Sequence, residues 1–325
     1  MFMHNCRKYI FLIMCLITSA ANTQSFETIW FDMQSKYNNL KNKFSTLRDL
    51  DKYSTDYWKT TAKNFDNLIQ GVPDINFLNN YNVGEAMVRT DYCRIQKFEE
   101  CYLENCLSDK TKSIIKNFKD NDKDLLQKKS TLNCSSSTLG HLFYASKVSE
   151  NLNISPKTIV EFGGGYGNLS HVFKQIYPEV TIIIFDLLES IALQYLFLKY
   201  TNPNIDIIVH GSPIQDDLQK NAIHLVPIYL LNECSFTTDL FISTFAITES
   251  SNFVQNLVIQ KHFFNANLIY VVGQLNGWKE AGHRWMTDHQ NLISAIRNNY
   301  KKIQCNPYHI FEENHKSYEM IAIKN

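Results

Sequence analysis

The chain has 325 residues, 44% hydrophobic and 20% charged, with 32 Lys+Arg balanced by 32 Asp+Glu. That apolar share supports a buried core and excludes a disordered chain, and the length suits one large domain or two ordinary ones. The zero formal charge gives no electrostatic case for a nucleic-acid partner or a membrane-surface field.

The N-terminus reads "MFMHNCRKYIFLIMCLITSAANTQS". Arg7 and Lys8 precede an apolar run from Tyr9 to Ile17, and Ser19 and Ala21 are small residues placed for cleavage after Ala21. Residues 1–21 are therefore expected to be a secretory signal peptide, too short to span a bilayer comfortably. A buried N-terminal helix and an uncleaved anchor are the alternatives. The reading places the protein in the secretory lumen or outside the cell with no stable membrane span, a cytoplasmic location being the alternative. Loss of the leader removes Cys6 and Cys15, leaving Cys93, Cys101, Cys106, Cys134, Cys234 and Cys305. An even number is compatible with disulfides in an oxidising compartment, without selecting a pairing. Asn133, Asn153 and Asn168 stand in glycosylation sequons. Asn168 lies within a glycine-rich stretch where a glycan would block any ligand, so it is expected to be unmodified.

Residues 22–137 are expected to form a helical N-terminal region. In "FETIWFDMQSKYNNLKNKFSTL", Ile29, Trp30, Met33, Tyr37, Leu40 and Phe44 recur near a 3.6-residue period. The Ser/Thr/Asn-rich segment 131–137 predicts a loop. "TLGHLFYASKVSENL" then predicts a helix with Leu139, Leu142, Phe143 and Val148 on one face; His141 on it is either turned to a ligand or a core histidine.

Residues 138–325 have a different character. "TIVEF", "VTIIIFDL", "IDIIVHG", "DLFISTFAIT" and "NLIYVVGQ" are apolar runs suited to strands buried on both faces of a parallel sheet. Segments that can hold helices separate most of them, which predicts a doubly wound α/β domain. "KKIQCNPYHIF" and "SYEMIAIKN", joined by "EENHK", are expected to close the chain as an antiparallel hairpin.

The stretch "IVEFGGGYGNLSHVF", residues 159–173, places four glycines between the first strand and a helix. Open α/β sheets bind ligands at that edge, glycine allows close backbone approach, and a helix N-terminus offers free N–H groups. Two ligands compete. Gly165, Gly167 and Ser170 come close to a dinucleotide fingerprint. Glu161, Gly163, Gly165 and Gly167 meet in full an acidic-x-G-x-G-x-G pattern. Asp186, at the end of the second strand, can accept hydrogen bonds from both hydroxyls of a ribose and serves either ligand. Glu189 is read as an acidic residue in the first turn of the following helix, favoured by the helix dipole.

The acidic-x-G-x-G-x-G loop resembles motif I of class I S-adenosylmethionine-dependent methyltransferases. The resemblance implies a Rossmann-like, seven-stranded sheet, mostly parallel with a terminal antiparallel hairpin, and S-adenosylmethionine as cofactor. It implies that Glu161 helps hold the cofactor's ammonium, the loop wraps its methionine end, and Asp186 takes the ribose. The expected hairpin and the single domain-sized segment after the loop tip the choice from a nicotinamide dinucleotide to S-adenosylmethionine. "TLGHLFYASKV", "IVEFGGGYGNLS", "IFDLLESIALQYLFL" and "DLFISTFAITESS" together resemble the sugar O-methyltransferase family over residues 138–325. That resemblance implies methyl transfer to a hydroxyl of a small-molecule or glycan acceptor. A binding protein with an inactive methyltransferase fold and an NAD-dependent oxidoreductase are the rival readings.

Removing a proton from a weakly acidic alcohol calls for a base at the cofactor edge. Glu249, after the fourth expected strand, and His283, in the Trp/His-rich loop "GQLNGWKEAGHRWMTDHQN", are the catalytic candidates, with His289 behind them. Ser212, Gln215, Asp216 and Asp217, after the third expected strand, are candidates for the adenine edge. Asp186, Glu249, His283 and His289 show no recognisable metal-ligand spacing, so no metal is expected.

Overall fold

The computed structural model describes residues 24–47, 50–88, 94–116, 118, 134–274, 290–308 and 317–324. The expected leader lies outside them. The N-terminal region is helical: α1 (Phe26–Phe44), α2 (Asp56–Ile69), α3 (Tyr81–Met87), α4 (Arg94–Asn105) and α5 (Asp109–Ile115). Ser25 caps α1 by accepting from the Thr28 amide at 3.2 Å. The periodic residues Ile29, Trp30, Met33, Tyr37 and Phe44 of α1 are buried, while Leu40 is half-buried against the same core.

The α/β region follows: α6 (Ser136–Asn151), β1 (Thr158–Phe162), α7 (Asn168–Ile176), β2 (Thr181–Asp186), α8 (Leu188–Thr201), β3 (Ile207–Val209), β4 (Ile223–Pro227), β5 (Leu240–Thr244), α9 (Ala246–Glu249), α10 (Asn252–Gln260), β6 (Leu268–Gln274), α11 (Gln290–Asn299), β7 (Lys302–Tyr308) and β8 (Ser317–Ile323). The strands form one sheet in the order β3-β4-β2-β1-β5-β6-β8-β7. All neighbours up to β6 run parallel; β8 inserts antiparallel between β6 and β7. Ile159, Val160, Ile182, Ile183, Ile184, Phe241 and Ile242 are fully enclosed. Each such side chain contributes roughly 1.5–3 kcal/mol by leaving water. The α/β class, the mostly parallel sheet, the closing hairpin and the helical N-terminal region match the expected fold.

The sheet differs from expectation in its third position. The run at Ile205–Gly211 forms only β3, a short edge strand whose residues are all half-buried. The strand beside β2 is β4, giving eight strands where seven were expected. His224 in β4 is buried, yet its ring is satisfied on both sides: Nδ1 pairs with His210 Nε2 at 2.9 Å and Nε2 with the Gln219 carbonyl at 2.8 Å. This pairing lets a polar residue occupy a core strand.

The helical region and the sheet share one hydrophobic core. Helix α1 lies on α8, where Tyr37 donates to Glu189 at 3.3 Å and to Asp66 of α2 at 2.9 Å, and Tyr195 donates to Asp32. Glu189 is thus a first-turn residue of α8, held beneath the N-terminal helices. Cys101, Cys106, Cys134, Cys234 and Cys305 are free thiols, so no disulfide joins any two of these five; Cys93 lies outside the described residues. Asn168 is fully buried, which closes its sequon, whereas Asn153 is exposed; Asn133 lies outside the described residues. Among the described residues, no helix is long and apolar enough to cross a membrane.

Candidate active site

Strand order reverses beside β1: the chain builds β2, β4 and β3 on one side, then returns to place β5 on the other. Ligand crevices form outside the strand ends at such a switch point. A cavity of about 300 Å³ lies there, lined by the ends of β1, β2 and β5 and by the segments that follow them.

The glycine loop forms its floor, and each glycine has its own reason. Gly163 (φ 75°) packs under the turn after β5; a Cβ there would come within 1.9 Å of Ala246 Cβ. Gly167 (φ 98°) precedes α7 and abuts Leu198 of α8. Gly165 (φ 55°) has no atom within 4 Å of where its Cβ would stand, and it faces the cavity. The backbone at Gly165 is therefore bare toward a ligand, not toward protein. Also on the cavity wall, Phe245 takes φ 71° and its amide donates to the Val272 carbonyl at 2.6 Å. A bulky residue in the left-handed region costs of order 1–3 kcal/mol, and such strain gathers at functional sites. The strained turn swings Thr244–Ala246 into the cavity wall and starts α9.

Two carboxylates stand at neighbouring strand ends. Glu161 on β1 is buried and accepts from the Ser170 hydroxyl. Burial pushes its carboxyl well above the usual range, the nearby Asp186 pushes it further, and the Ser170 bond partly offsets both. Asp186 ends β2. It accepts from the Leu187 amide at 2.8 Å and from Gln194 Nε2 at 2.7 Å, and burial likewise pushes it up. Gln194 Nε2 also donates to the Gly165 carbonyl at 3.0 Å, so one amide fixes both the loop and the acid. His141 on α6 lines the same end; its Nδ1 pairs with Asn168 Nδ2 at 3.0 Å. This resolves the reading left open for His141: it faces the cavity.

The third carboxylate is Glu249, at the end of α9. Burial raises its carboxyl to about 7, opposed by a hydrogen bond from the Trp58 side chain. Trp58 belongs to α2, so the N-terminal region forms a wall of the cavity. Tyr53, Ser54, Thr55 and Trp58 line it from one side, and Glu85–Val88 from another. This wall is tied to the sheet by Ser251 Oγ, which donates to the Lys52 carbonyl, and by edge-to-face contacts of Tyr53 with Tyr229 and Phe253, each at 5.2 Å.

Of the expected site residues, Glu161, Gly163, Gly165, Asp186 and Glu249 converge on this cavity. Gly167 supports the loop from behind, against Leu198. His283, His289 and the Trp/His-rich loop lie outside the described residues. Ser212, Gln215, Asp216 and Asp217 are off the cavity wall; they follow the edge strand β3, whereas Ile228, just after β4, lines the cavity. Sequence reasoning missed Gln194, Trp58, Tyr53 and Glu85. Gln194 has a visible signal, since it is a polar residue amid the apolar run of "IALQYLFL". Among the described residues, no three His, Cys, Asp or Glu side chains gather as a metal would require.

No family model matches the chain, and no curated protein does. The chain is similar to a solved structure from Thermoplasma acidophilum at 12% identity and TM-score 0.39, over 72% of this chain and 98% of that one. It is similar to the methyltransferase domain of a bacterial Hen1 at 10% identity and TM-score 0.37, over 55% and 96%. Human N-acetylserotonin methyltransferase, solved in complex with SAM, is similar at 13% identity and TM-score 0.33, over 58% and 56%. Its structural neighbours thus include S-adenosylmethionine-dependent methyltransferases. Likenesses this distant give the chain no substrate, and the fold rests on its own strand order.

Proposed function

We propose that this protein is an S-adenosylmethionine-dependent methyltransferase acting on a hydroxyl, that of a sugar or glycan. The observation that carries the reading is the convergence of Glu161, Asp186 and the bare backbone of Gly165 on one cavity at the switch point. The residues fit the cofactor. Asp186, a carboxylate on the cavity wall, would accept from ribose hydroxyls with the lone pairs that Leu187 and Gln194 leave, and Glu161 is a buried carboxylate beside the loop, suited to an ammonium group. S-adenosylmethionine supplies an electrophilic methyl group when bound. Glu249 takes the proton from the acceptor hydroxyl, with a carboxyl near 7 matched to work around neutral pH. Trp58 fixes that carboxylate's orientation, and the N-terminal helices shield it from water.

Calorimetry of the purified chain with S-adenosylhomocysteine and with NAD tests the cofactor. We expect the former to bind and the latter not to; binding of NAD alone would refute the reading. Gly165→Arg is expected to abolish S-adenosylhomocysteine binding, because its side chain leaves the backbone into open space at the cavity; the φ of 55° strains any side chain there, so retained cooperative unfolding is checked alongside. Transfer of a labelled methyl group to a panel of sugars and small alcohols tests the reaction. The leader reading belongs to the same proposal: the mature chain starts near Asn22, and N-terminal sequencing that begins at Met1 would overturn it.

A further inference from the structure

Helix α8 is apolar around most of its circumference: Ile191, Leu193, Leu196, Phe197 and Leu198 are all buried. Gln194 stands among them with no exposure. A buried amide costs free energy unless its polar atoms are paired. Here the pairing is one-sided. Nε2 donates to Asp186 Oδ2 at 2.7 Å and to the Gly165 carbonyl at 3.0 Å, while Oε1 is buried without a partner. The Gly165 carbonyl can only accept, so the amide nitrogen must face it and turning the amide over would not help.

An apolar side chain of similar length, Met, would leave no orphaned acceptor and would suit a buried helix at least as well. The stability of α8 therefore does not explain the amide. Both of its acceptors line the cavity, and they belong to different segments: Gly165 to the loop after β1, Asp186 to the end of β2. The loop lies hard against α8 here. A Cβ on Gly164 would stand 3.1 Å from Gln194 Nε2, and a Cβ on Gly167 would stand 3.0 Å from Leu198 Cγ. Residues four apart on a helix share a face, so α8 offers one donor and one packing residue to the same loop.

We propose that Gln194 is a positioning residue of the cofactor site, holding the methionine-binding loop and the ribose-binding acid in one fixed relation before the cofactor arrives. Its two N–H groups set the Gly165 backbone and the Asp186 carboxylate at the spacing that a single ligand must bridge, so little ordering is left to the binding step. The bond to Oδ2 also favours the ionised carboxylate, the form that accepts from hydroxyls. The unpaired Oε1 is a destabilisation that the fold carries for this arrangement. The inference rests on the methyltransferase reading.

Calorimetry of the full parent chain with S-adenosylhomocysteine shows first whether the cofactor reading holds; failure to bind removes both. Gln194→Met keeps the bulk and removes both donors. It is expected to weaken S-adenosylhomocysteine binding by about 10–100-fold, because a bond to a carboxylate and a bond to the loop are lost together. Its urea midpoint should stay level or rise, since the orphaned acceptor is gone and the two freed acceptors face a cavity that water can enter. Amide exchange over residues 163–167 of the ligand-free variant should quicken by about tenfold relative to β1, because the loop is no longer tied. Gln194→Glu keeps the shape but, once ionised, has no donor, so at pH 8 it should bind no better than Gln194→Met. A Met variant that binds within about threefold of the parent, that loses affinity only together with cooperative unfolding, or that leaves loop exchange unchanged overturns the inference, as does a Glu variant that binds like the parent. Each of these leaves the cofactor reading standing.

Discussion

In the proposed reaction, Glu249 is the residue on which the chemistry turns. Its carboxyl is sunk in the wall with Trp58 as hydrogen-bond donor, and burial holds its proton up to about pH 7. A base is active only when ionised, so kcat/KM should rise with pH and level off above about 7. Glu249→Gln keeps the shape and removes the base. It should lower kcat/KM by about 10²–10⁴-fold and abolish the rising limb, with S-adenosylhomocysteine affinity within about threefold of the parent. A Gln variant with full activity would exclude Glu249 as base. Trp58→Phe keeps an aromatic wall but removes the N–H that favours the ionised carboxylate. The proton is then held more tightly, and the midpoint of the limb should move to higher pH by about 1 unit. A limb that stays in place would show that the hydrogen bond does not tune the acid.

At the scale of elements, α1 clamps the N-terminal region to α8. Trp30, at its centre, is fully enclosed, and its indole N–H has no partner. Its contribution is therefore packing. Trp30→Ala should lower stability by about 3–5 kcal/mol in urea titrations, whereas Trp30→Phe, which removes the unpaired N–H as well as volume, should lower it by clearly less. Equal losses would indicate a hidden hydrogen bond. Helix α1 was legible in the sequence because Ile29, Trp30, Met33, Tyr37 and Phe44 repeat at the helical period; that it packs on α8 was not. The glycine loop and Asp186 were legible as part of a site because close backbone approach demands glycine, and an acidic residue at the end of the next strand stands where the cavity forms. Strand β4 was not legible, since His224 and Pro227 interrupt its apolar run, and it is the pairing of His224 with His210 and the Gln219 carbonyl that makes the burial tolerable. The wall of Tyr53, Thr55, Trp58 and Glu85 was hidden for another reason. Its residues come from a short 3-10 helix (Leu50–Tyr53), from α2 with its N-cap, and from α3, and share neither period nor motif; the packing of these elements brings them together.

Across the whole molecule, one cavity gathers a buried acid, Glu161, and two half-buried ones, Asp186 and Glu249, that a ligand is expected to balance. Burial raises Glu161, Asp186 and Glu249 in the folded chain above their unfolded values of 4.5, 3.8 and 4.5. The folded state thus binds more protons than the unfolded state, and stability must fall as pH rises through the raised values. Histidines act in the opposite range. Burial lowers His210 to about 4 and also lowers His224, so their contribution is complete above the ordinary histidine value of 6.5 and is lost below it. Of these five groups, the carboxylates are the ones that act between pH 6.5 and 8, and the zero formal net charge keeps general repulsion small there. The ligand-free protein should therefore lose about 1–3 kcal/mol of stability from pH 6.5 to 8 in urea titrations. S-adenosylhomocysteine carries an ammonium and two ribose hydroxyls that favour the ionised acids. Its thermal stabilisation should consequently be larger at pH 8 than at 6.5, because at the higher pH it finds the acids already ionised and uncompensated. A ligand-free stability that is flat or rising across this range would mean that Glu161, Asp186 and Glu249 keep ordinary carboxylate values in the fold, and that Glu249 has no proton to lose near neutrality.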